Sequence, residues 1–496
     1  MKHRSKILLA ASLVMLLVSC KKDYLETSPT DQIATISAFS TTTNAWAALN
    51  GMHRYMYTQW LGNQDQGGQS ANMIYMDAMG DDLVLTSSSN SWFLSEYRWI
   101  SHRNANSRVP LFNYLFYYTL ISNANLIIQN IDGATGPDTD KKAIKGEALA
   151  YRGWAYFQMV QLFGKRFDKA NANDGLGVPL VLTPSTTATP RATVAEVYTQ
   201  INKDLDDAIA SLAGYTRLNK SHINVNVAKG FKARVALAQQ SWPVAAQMAA
   251  DARAGFGLLS NADYTSGFND YTKNEWMWGM HQQADQTTYF YSFFAFMSSN
   301  FNSSNIRVCP KAINSTLYDL ISATDIRKTL WDPTGTNTAF IIPTATAGAV
   351  RKPYMNRKFL VADQGNSIGD FPLMRASEMY LIEAEAKARI GGQDAAAATA
   401  LFTLAKQRDA NYVLSTNTGT ALIDEIMIQR RVELWGEGFR FYDLKRLDLP
   451  LDRTNSNHNA SIASVLNVSA GDKTWQFLIP QSEINNTNGV VVQNDL

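Results

Sequence analysis

Two carboxylate pairs in this sequence have the types and spacing for covalent chemistry. Asp81 with Asp82, and Glu383 with Glu385, could serve as the acid and base of a glycosidase, which needs two carboxyl groups flanking one glycosidic bond. The competing readings are a turn for the first pair and a solvated helix face for the second. The six histidines, His3, His53, His102, His222, His281 and His458, form no i, i+4 pair and no His-Glu-x-x-His helix, so a zinc hydrolase is unsupported. A phosphate-cradling Gly-x-x-x-x-Gly-Lys loop is also missing. The expectation is a chain that is not an enzyme and carries no cofactor and no metal.

Aromatic side chains in irregular stretches offer binding chemistry instead. Trp92 and Trp99, with Asn90 nearby, fall between predicted helices, as do Trp276, Trp278, Tyr289, Tyr291 and Phe294. A sugar ring has an apolar face of C–H groups and a rim of hydroxyls. An aromatic ring covers the face while Asn, Asp or Arg bonds the rim. Asp81, Asp285 and Gln286 are near enough in sequence to act as such partners. Each ring could equally cap the helical core beneath it, and for each of them both readings stay open.

One covalent modification is expected, at Cys20. Lys2, Arg4 and Lys6 precede an apolar stretch over 7–18, interrupted only by Ser12. That stretch is too short to span a bilayer, which takes roughly 20 apolar residues, and it suits the core of a signal peptide. Leu17-Val18-Ser19-Cys20 has the form of a lipobox, in which the Cys thiol takes diacylglycerol. Residues 1–19 are therefore read as a lipoprotein signal peptide and 20–43 as a lipidated tether. With Cys20 modified, Cys309 has no partner, so stability must come from a hydrophobic core rather than disulfides. The 45 basic and 43 acidic residues nearly balance, which argues against nucleic acid as a partner.

The elements that must position these residues read as helices. Apolar periodicity predicts them over 44–60, 111–131, 141–163, 193–212, 225–240, 243–255, 394–409 and 421–436, with helical order also from 371 to Gly391. In 141–163, Leu149, Gly153, Tyr156, Val160 and Phe163 form one stripe and Ala148, Ala155, Met159 and Leu162 a second. A helix apolar over so wide an arc is packed on two sides. Thr193 with Glu196 makes a capping box, and Pro243 suits a first helical position. The small residues Ala228, Ala236, Ala245 and Ala249 permit close helix pairing. Such pairs look like tetratricopeptide units, degenerate because the usual Trp-Leu-Gly-Tyr pattern is missing. The stretch 73–108 reads as irregular, 261–305 as aromatic and polar without period, and 334–348 as a loop. The fold class is all-α: degenerate tetratricopeptide-like helical repeats with long irregular loop insertions. An N-terminal helical region, 44–260, and a C-terminal region, 261–496, are expected to pack as one globular unit.

Near the C-terminus, Arg430 and Glu433 stand i, i+3 and can pair. Glu437, Arg440, Asp443 and Arg446 then alternate in sign. The favoured reading is a half-buried ion network, because buried charges must be paired; a ligand-binding charge cluster is the other.

Five motifs, in chain order, resemble one family. They are Gly146-Glu147-Ala148 with Arg152, Tyr156, Phe157 and Leu162-Phe163-Gly164; Leu317-Tyr318-Asp319 with Asp325 and Arg327; and the run from Phe371-Pro372-Leu373 to Glu383-Ala384-Glu385-Ala386. Next come Arg430-Arg431-Val432-Glu433-Leu434 with Glu437-Gly438-Phe439-Arg440 and Asp443-Leu444-Lys445-Arg446, and last Ile479-Pro480-Gln481-Ser482-Glu483-Ile484-Asn485. Together they resemble the SusD/RagB family of outer-membrane nutrient-binding lipoproteins. Gln429 stands where that family usually has Glu, Phe441-Tyr442 where Trp is common, and Trp435 where a smaller residue is common.

The resemblance implies a surface lipoprotein, anchored in the outer membrane and facing the cell exterior. It would capture a glycan or oligosaccharide and deliver it to a SusC-like TonB-dependent transporter, as in polysaccharide utilisation. Some relatives take oligopeptides, which is the alternative; a lipoprotein glycoside hydrolase is a further one. Lys21-Lys22-Asp23 after Cys20 resembles the export signal of Bacteroidetes surface lipoproteins. The family places ligand contacts in the two aromatic stretches, which implies Asn90, Trp92, Trp99, Trp276, Trp278, Tyr289 and Tyr291 as ligand-binding residues.

Overall fold

The computed structural model describes residues 35–283, 290–343 and 348–496. Its body is a succession of helices: α1 (Thr42–Tyr55), α2 (Gln69–Ala78), α3 (Arg108–Asn130), α4 (Asp138–Phe163), α5 (Val194–Ser211), α6 (Val225–Ala238) and α7 (Trp242–Ala252). After a long insertion come α8 (Ala376–Ile390), α9 (Asp394–Arg408), α10 (Gly419–Glu433) and α11 (Arg440–Arg446). From α4 to α9 each helix packs on the one before it, so that α8 packs directly on α7. The helical series therefore runs across the insertion, in the tetratricopeptide-like manner expected.

Local sequence explains the geometry. Thr193 Oγ1 accepts from the Glu196 N–H at 3.2 Å, and the Glu196 carboxylate accepts from the Thr193 N–H at 2.8 Å, so the capping box fixes where α5 starts. α4 is buried on both predicted stripes. A Cβ on Gly146 would stand 2.7 Å from Leu212 Cγ, so only a bare backbone lets α4 approach the end of α5 this closely. One apolar cluster takes in Phe112 and Trp154 from the first half and Trp278, Met374 and Phe441 from the second. A smaller one joins α8, α9 and α10 through Leu381, Leu401, Leu404, Leu422 and Ile426. Among the described residues, no helix is long and apolar enough to cross a membrane.

Three expectations about elements need correction. The stretch 73–108 begins inside α2, every residue of which is buried. A helix with no polar face gives no 3.6-residue period to read. Helical order does not begin at Phe371: Phe371–Arg375 is a strand, here β6, and α8 starts only at Ala376. The stretch 261–305 contains another strand, β2 (Trp276–Met280), antiparallel to β6 with Trp276 opposite Arg375 and Met280 opposite Phe371. A small antiparallel sheet in the order β1 (Leu83–Leu85), β3 (Lys311–Ile313), β5 (Met355–Asn356), β4 (Trp331–Asp332) fastens the insertion to the N-terminal half.

Candidate functional site

The two aromatic stretches meet at one place. After β1 the chain enters a tight loop in which Asn90, Ser91 and Phe93 all take left-handed backbone angles, φ 53°, 57° and 60°. Asn tolerates that region, but a bulky Phe pays of order 1–2 kcal/mol to adopt it. The Phe93 ring offsets this by burial between Tyr75 and Phe296, at centroid distances of 5.0 and 4.9 Å. Asn90 Nδ2 donates to Ser304 Oγ at 2.6 Å. Trp92 is half-buried, its ring edge-to-face with Phe296 at 6.4 Å. Phe296 belongs to the short helix Phe293–Met297, which Tyr291 and the Ser292 cap lead into. Tyr291 is half-buried and Phe290 is 45% exposed. The Tyr291 carbonyl lies so close to Gly67 that a Cβ there would be 2.0 Å from its oxygen. The loop is thus pinned from beneath by rings and through Asn90 to Ser304, while Asn90, Ser91 and part of Trp92 face solvent.

The other aromatics expected at the site are elsewhere. Trp276 and Trp278 do not lie on an irregular surface loop. They sit in β2, 1% and 0% exposed. Trp278 is hemmed by Phe231, Trp154 and Tyr151 at 5.2, 5.6 and 6.0 Å, and its Nε1–H donates to the Ser221 carbonyl. Trp99 donates from Nε1 to the Met79 carbonyl at 3.0 Å and packs on Trp475 at 4.7 Å. These three rings present no open face to a sugar in this structure. Trp276-Met277-Trp278-Gly279-Met280 is an unbroken run without polar residues, the pattern of a strand buried on both faces, and it was the available signal. Tyr289, with Asp285 and Gln286, and Cys20 with its signal sequence lie outside the described residues.

The carboxylate pairs are engaged in ion pairs. Asp81 faces Arg440, and Asp82 meets Arg431 at 2.6 Å. Burial pushes the Asp81 carboxyl up, but the Arg440 guanidinium outweighs it and holds the group at about 2. Glu383 is held by Arg253 at 2.7 Å and Lys387 at 2.6 Å, and Glu385 by Arg446 at 2.7 Å. Against burial, the guanidiniums of Arg440 and Arg446 hold Asp81 and Glu385 below the usual carboxylate range, the opposite of what a general acid needs at neutral pH. A Gly-x-Ser-x-Gly run, Gly365 to Gly369, sits in the loop leading into β6 rather than at a strand-to-helix turn, and Ser367 is fully buried.

The C-terminal signature forms a buried ion network, with different partners from those the spacing suggests. Arg430 does not bind Glu433. Its Nε donates to Asp443 at 2.7 Å, and Arg446 reaches the same carboxylate at 2.8 Å. Glu433 turns inward to Arg375, Arg408 and Arg327, at 2.8, 3.1 and 3.2 Å. Glu437 pairs with Lys358 at 2.7 Å and Arg375 at 2.6 Å. These charges are buried and tie the last helices to the repeats and to the insertion.

A cleft of about 630 Å³ opens at the C-terminal end of α4, lined by Lys165, Arg166, Asp168, Asp448, Lys473 and Trp475 among others. The one aromatic ring on it, Trp475, is packed into the core against Trp99, so it offers no stacking face.

Comparison with known proteins agrees with this architecture. Residues 23–237 match a family model described as starch-binding and associating with the outer membrane, and residues 262–496 match the model of the SusD family. The chain is similar to the crystal structure of a SusD-like carbohydrate binding protein from Bacteroides vulgatus, at 26% identity and TM-score 0.79, over 91% of this chain and 97% of that one. A SusD superfamily protein from Bacteroides thetaiotaomicron aligns at 24% identity and TM-score 0.77, over 92% and 100%. A laminarin binding SusD-like protein aligns at 22% and 0.70, over 92% and 99%. The last two identities speak for the fold alone. No curated protein matches the chain by sequence.

Proposed function

The chain belongs to the SusD family, and on that premise we propose that it is a carbohydrate-binding lipoprotein of the outer membrane. It is held by lipid on Cys20, faces the cell exterior, captures a glycan or oligosaccharide and delivers it to a SusC-like TonB-dependent transporter. The observation that carries this reading is the match of family models to both halves of the chain, joined to the likeness with a carbohydrate binding relative over nearly all of both chains. The exposed loop supports it: a half-exposed Trp92 ring supplies an apolar face, and the exposed Asn90 lies two residues before it in the same loop. A second aromatic, Tyr291, enters the short helix that carries Phe296, on which Trp92 rests.

The test is retention on a panel of immobilised polysaccharides and oligosaccharides. Retention without new reducing ends supports capture. New reducing ends would mean hydrolysis, and retention of oligopeptides but no glycan would move the ligand class to peptides.

A further inference from the structure

We propose that His53, Glu147 and His222 form a binding site for one transition-metal cation of the zinc type, which pins the first helix to the repeat core. The three residues are far apart in the sequence and come from three elements: His53 from the last turn of α1, Glu147 from α4, and His222 from the loop before α6. All three are buried, at 6%, 0% and 4% exposure, and their ligand atoms lie within 4.8 Å of one another.

The spacing is that of a coordination shell. Donors about 2.0–2.1 Å from a tetrahedral zinc stand about 3.3 Å apart. Here His53 Nε2 is 3.2 Å from His222 Nδ1. His222 Nδ1 is 3.0 Å from Glu147 Oε1, and His53 Nε2 is 3.6 Å from Glu147 Oε2. Two imidazole nitrogens and a carboxylate suit zinc better than calcium or magnesium, which prefer all-oxygen shells.

The three groups converge on one point: His222 Nδ1 faces both His53 Nε2 and the Glu147 carboxylate. A metal ion takes lone pairs from all three groups at once. The outer partners already orient those lone pairs inward. In the tautomer where His53 Nδ1–H donates to the Tyr151 hydroxyl, 2.7 Å away, Nε2 presents its lone pair as a ligand. Glu147 accepts from the Ile223 N–H at 2.9 Å and the Tyr215 hydroxyl at 3.1 Å. Trp46 lies edge-on to His222 at 5.6 Å and stacks on Tyr215 at 6.1 Å, closing the site from outside. No substrate can enter, so the ion is structural. The guanidinium of Arg217, bonded to the His222 carbonyl at 3.0 Å, places a positive charge nearby and lowers the affinity relative to an isolated site.

The experiment uses the mature full-length protein, freed of metal by a chelator and titrated with zinc chloride. One zinc per chain is expected by elemental analysis, with a rise in Tm that chelation reverses. His53→Gln and His222→Asn should each abolish both the stoichiometric zinc and the Tm response. Crystals of wild-type protein grown with zinc should show anomalous scattering between the three residues, a readout independent of whether the variants fold. Zinc uptake unchanged in a folded variant, or an anomalous map empty at this position, overturns the proposal.

Discussion

The Arg375 guanidinium and the Glu433 carboxylate meet at 2.8 Å, and water reaches neither side chain. Arg375 ends strand β6 and Glu433 ends helix α10, so this contact locks the insertion to the last repeat. Around it stand the cations Arg327, Arg408 and Lys358 and the carboxylates Asp325, Glu275 and Glu437. With the first pair this makes four cations and four carboxylates, a neutral set. Charges taken out of water are tolerable only when such a set is complete.

Removing one member should therefore be costly. Glu433→Gln keeps the shape but leaves Arg375, Arg408 and Arg327 one negative charge short. The expected loss is about 3–5 kcal/mol of unfolding free energy, read from urea midpoints. Burial pushes the Glu433 carboxyl up, but Arg408, Arg375 and Arg327 outweigh it and hold it well below the carboxylate range. Its folded pKa is depressed, so its contribution is complete above the unfolded value, about 4.3. That contribution drains away as pH falls below it. The gap between wild type and variant should be constant above about pH 5 and narrow in acid; a gap independent of pH would contradict the pairing.

A second acid sensitivity comes from His458. Its Nε2 lies 3.1 Å from the Asp81 carbonyl, which can only accept, so Nε2 carries the proton and Nδ1 receives the Tyr97 hydroxyl. Burial, helped by nearby Arg453, pushes this imidazole down to about 4. Burial likewise pushes His102 down to about 3. Between the ordinary histidine value of about 6.5 and these folded values, the unfolded chain binds protons that the fold does not. Stability should therefore be lost as pH is lowered across that window, by about 1.4 kcal/mol per pH unit for each histidine. His458→Asn should remove one proton's share of the slope, measured as urea midpoints from pH 7 to pH 4.5. An unchanged slope would show that His458 is not buried neutral.

What the sequence discloses depends on whether a residue's environment is local. The capping box at Thr193 and Glu196 and the two stripes of α4 are legible because the partners lie within a few residues or on one helix face. Helix α2 is hidden because its whole circumference is buried, which removes the period. Trp276 and Trp278 read as loop residues because a strand buried on both faces does not alternate. The Arg430–Glu433 pairing fails for a related reason: spacing says which groups can meet, while Glu433's real partners come from positions 327, 375 and 408. The His53, Glu147 and His222 cluster is likewise invisible along the chain. The loop at Asn90 and Trp92 was legible as a loop, but not the Phe296 ring that supports it.

Anchoring can be tested without a ligand. The lipobox motif at Cys20 predicts that Cys20→Ser yields a folded protein that no longer fractionates with the outer membrane. The fractionation should be run in cells lacking the transporter, so that docking cannot stand in for the lipid. Added protease should shave the wild-type protein from intact cells. Retention of the variant at the wild-type level, or full protection of a wild type that is cut after lysis, would overturn the anchor or the outward orientation respectively.

The last prediction separates rings that hold the fold from rings that can hold a sugar. Trp92 is half-buried above Phe296, and its neighbour Asn90 is exposed. Trp278 is fully enclosed by Phe231, Trp154 and Tyr151. Truncating an enclosed Trp removes its transfer term and leaves a cavity, so Trp278→Ala should cost about 3–5 kcal/mol of stability. Affinity of the remaining folded fraction should not change. Truncating a ring that covers a sugar face loses apolar contact in the complex, so Trp92→Ala should weaken glycan binding by about 1–2 kcal/mol. That is roughly a 5- to 30-fold rise in Kd. Its melting temperature should move little, because Phe93 and Phe296 still fill the space beneath the loop. Tyr291→Ala tests the second half of the platform in the same way. Melting curves and binding isotherms on the same three variants decide the matter. If Trp92→Ala and Tyr291→Ala melt early but bind normally when folded, those two rings join Trp278 in the core, and the glycan site must be sought on another face.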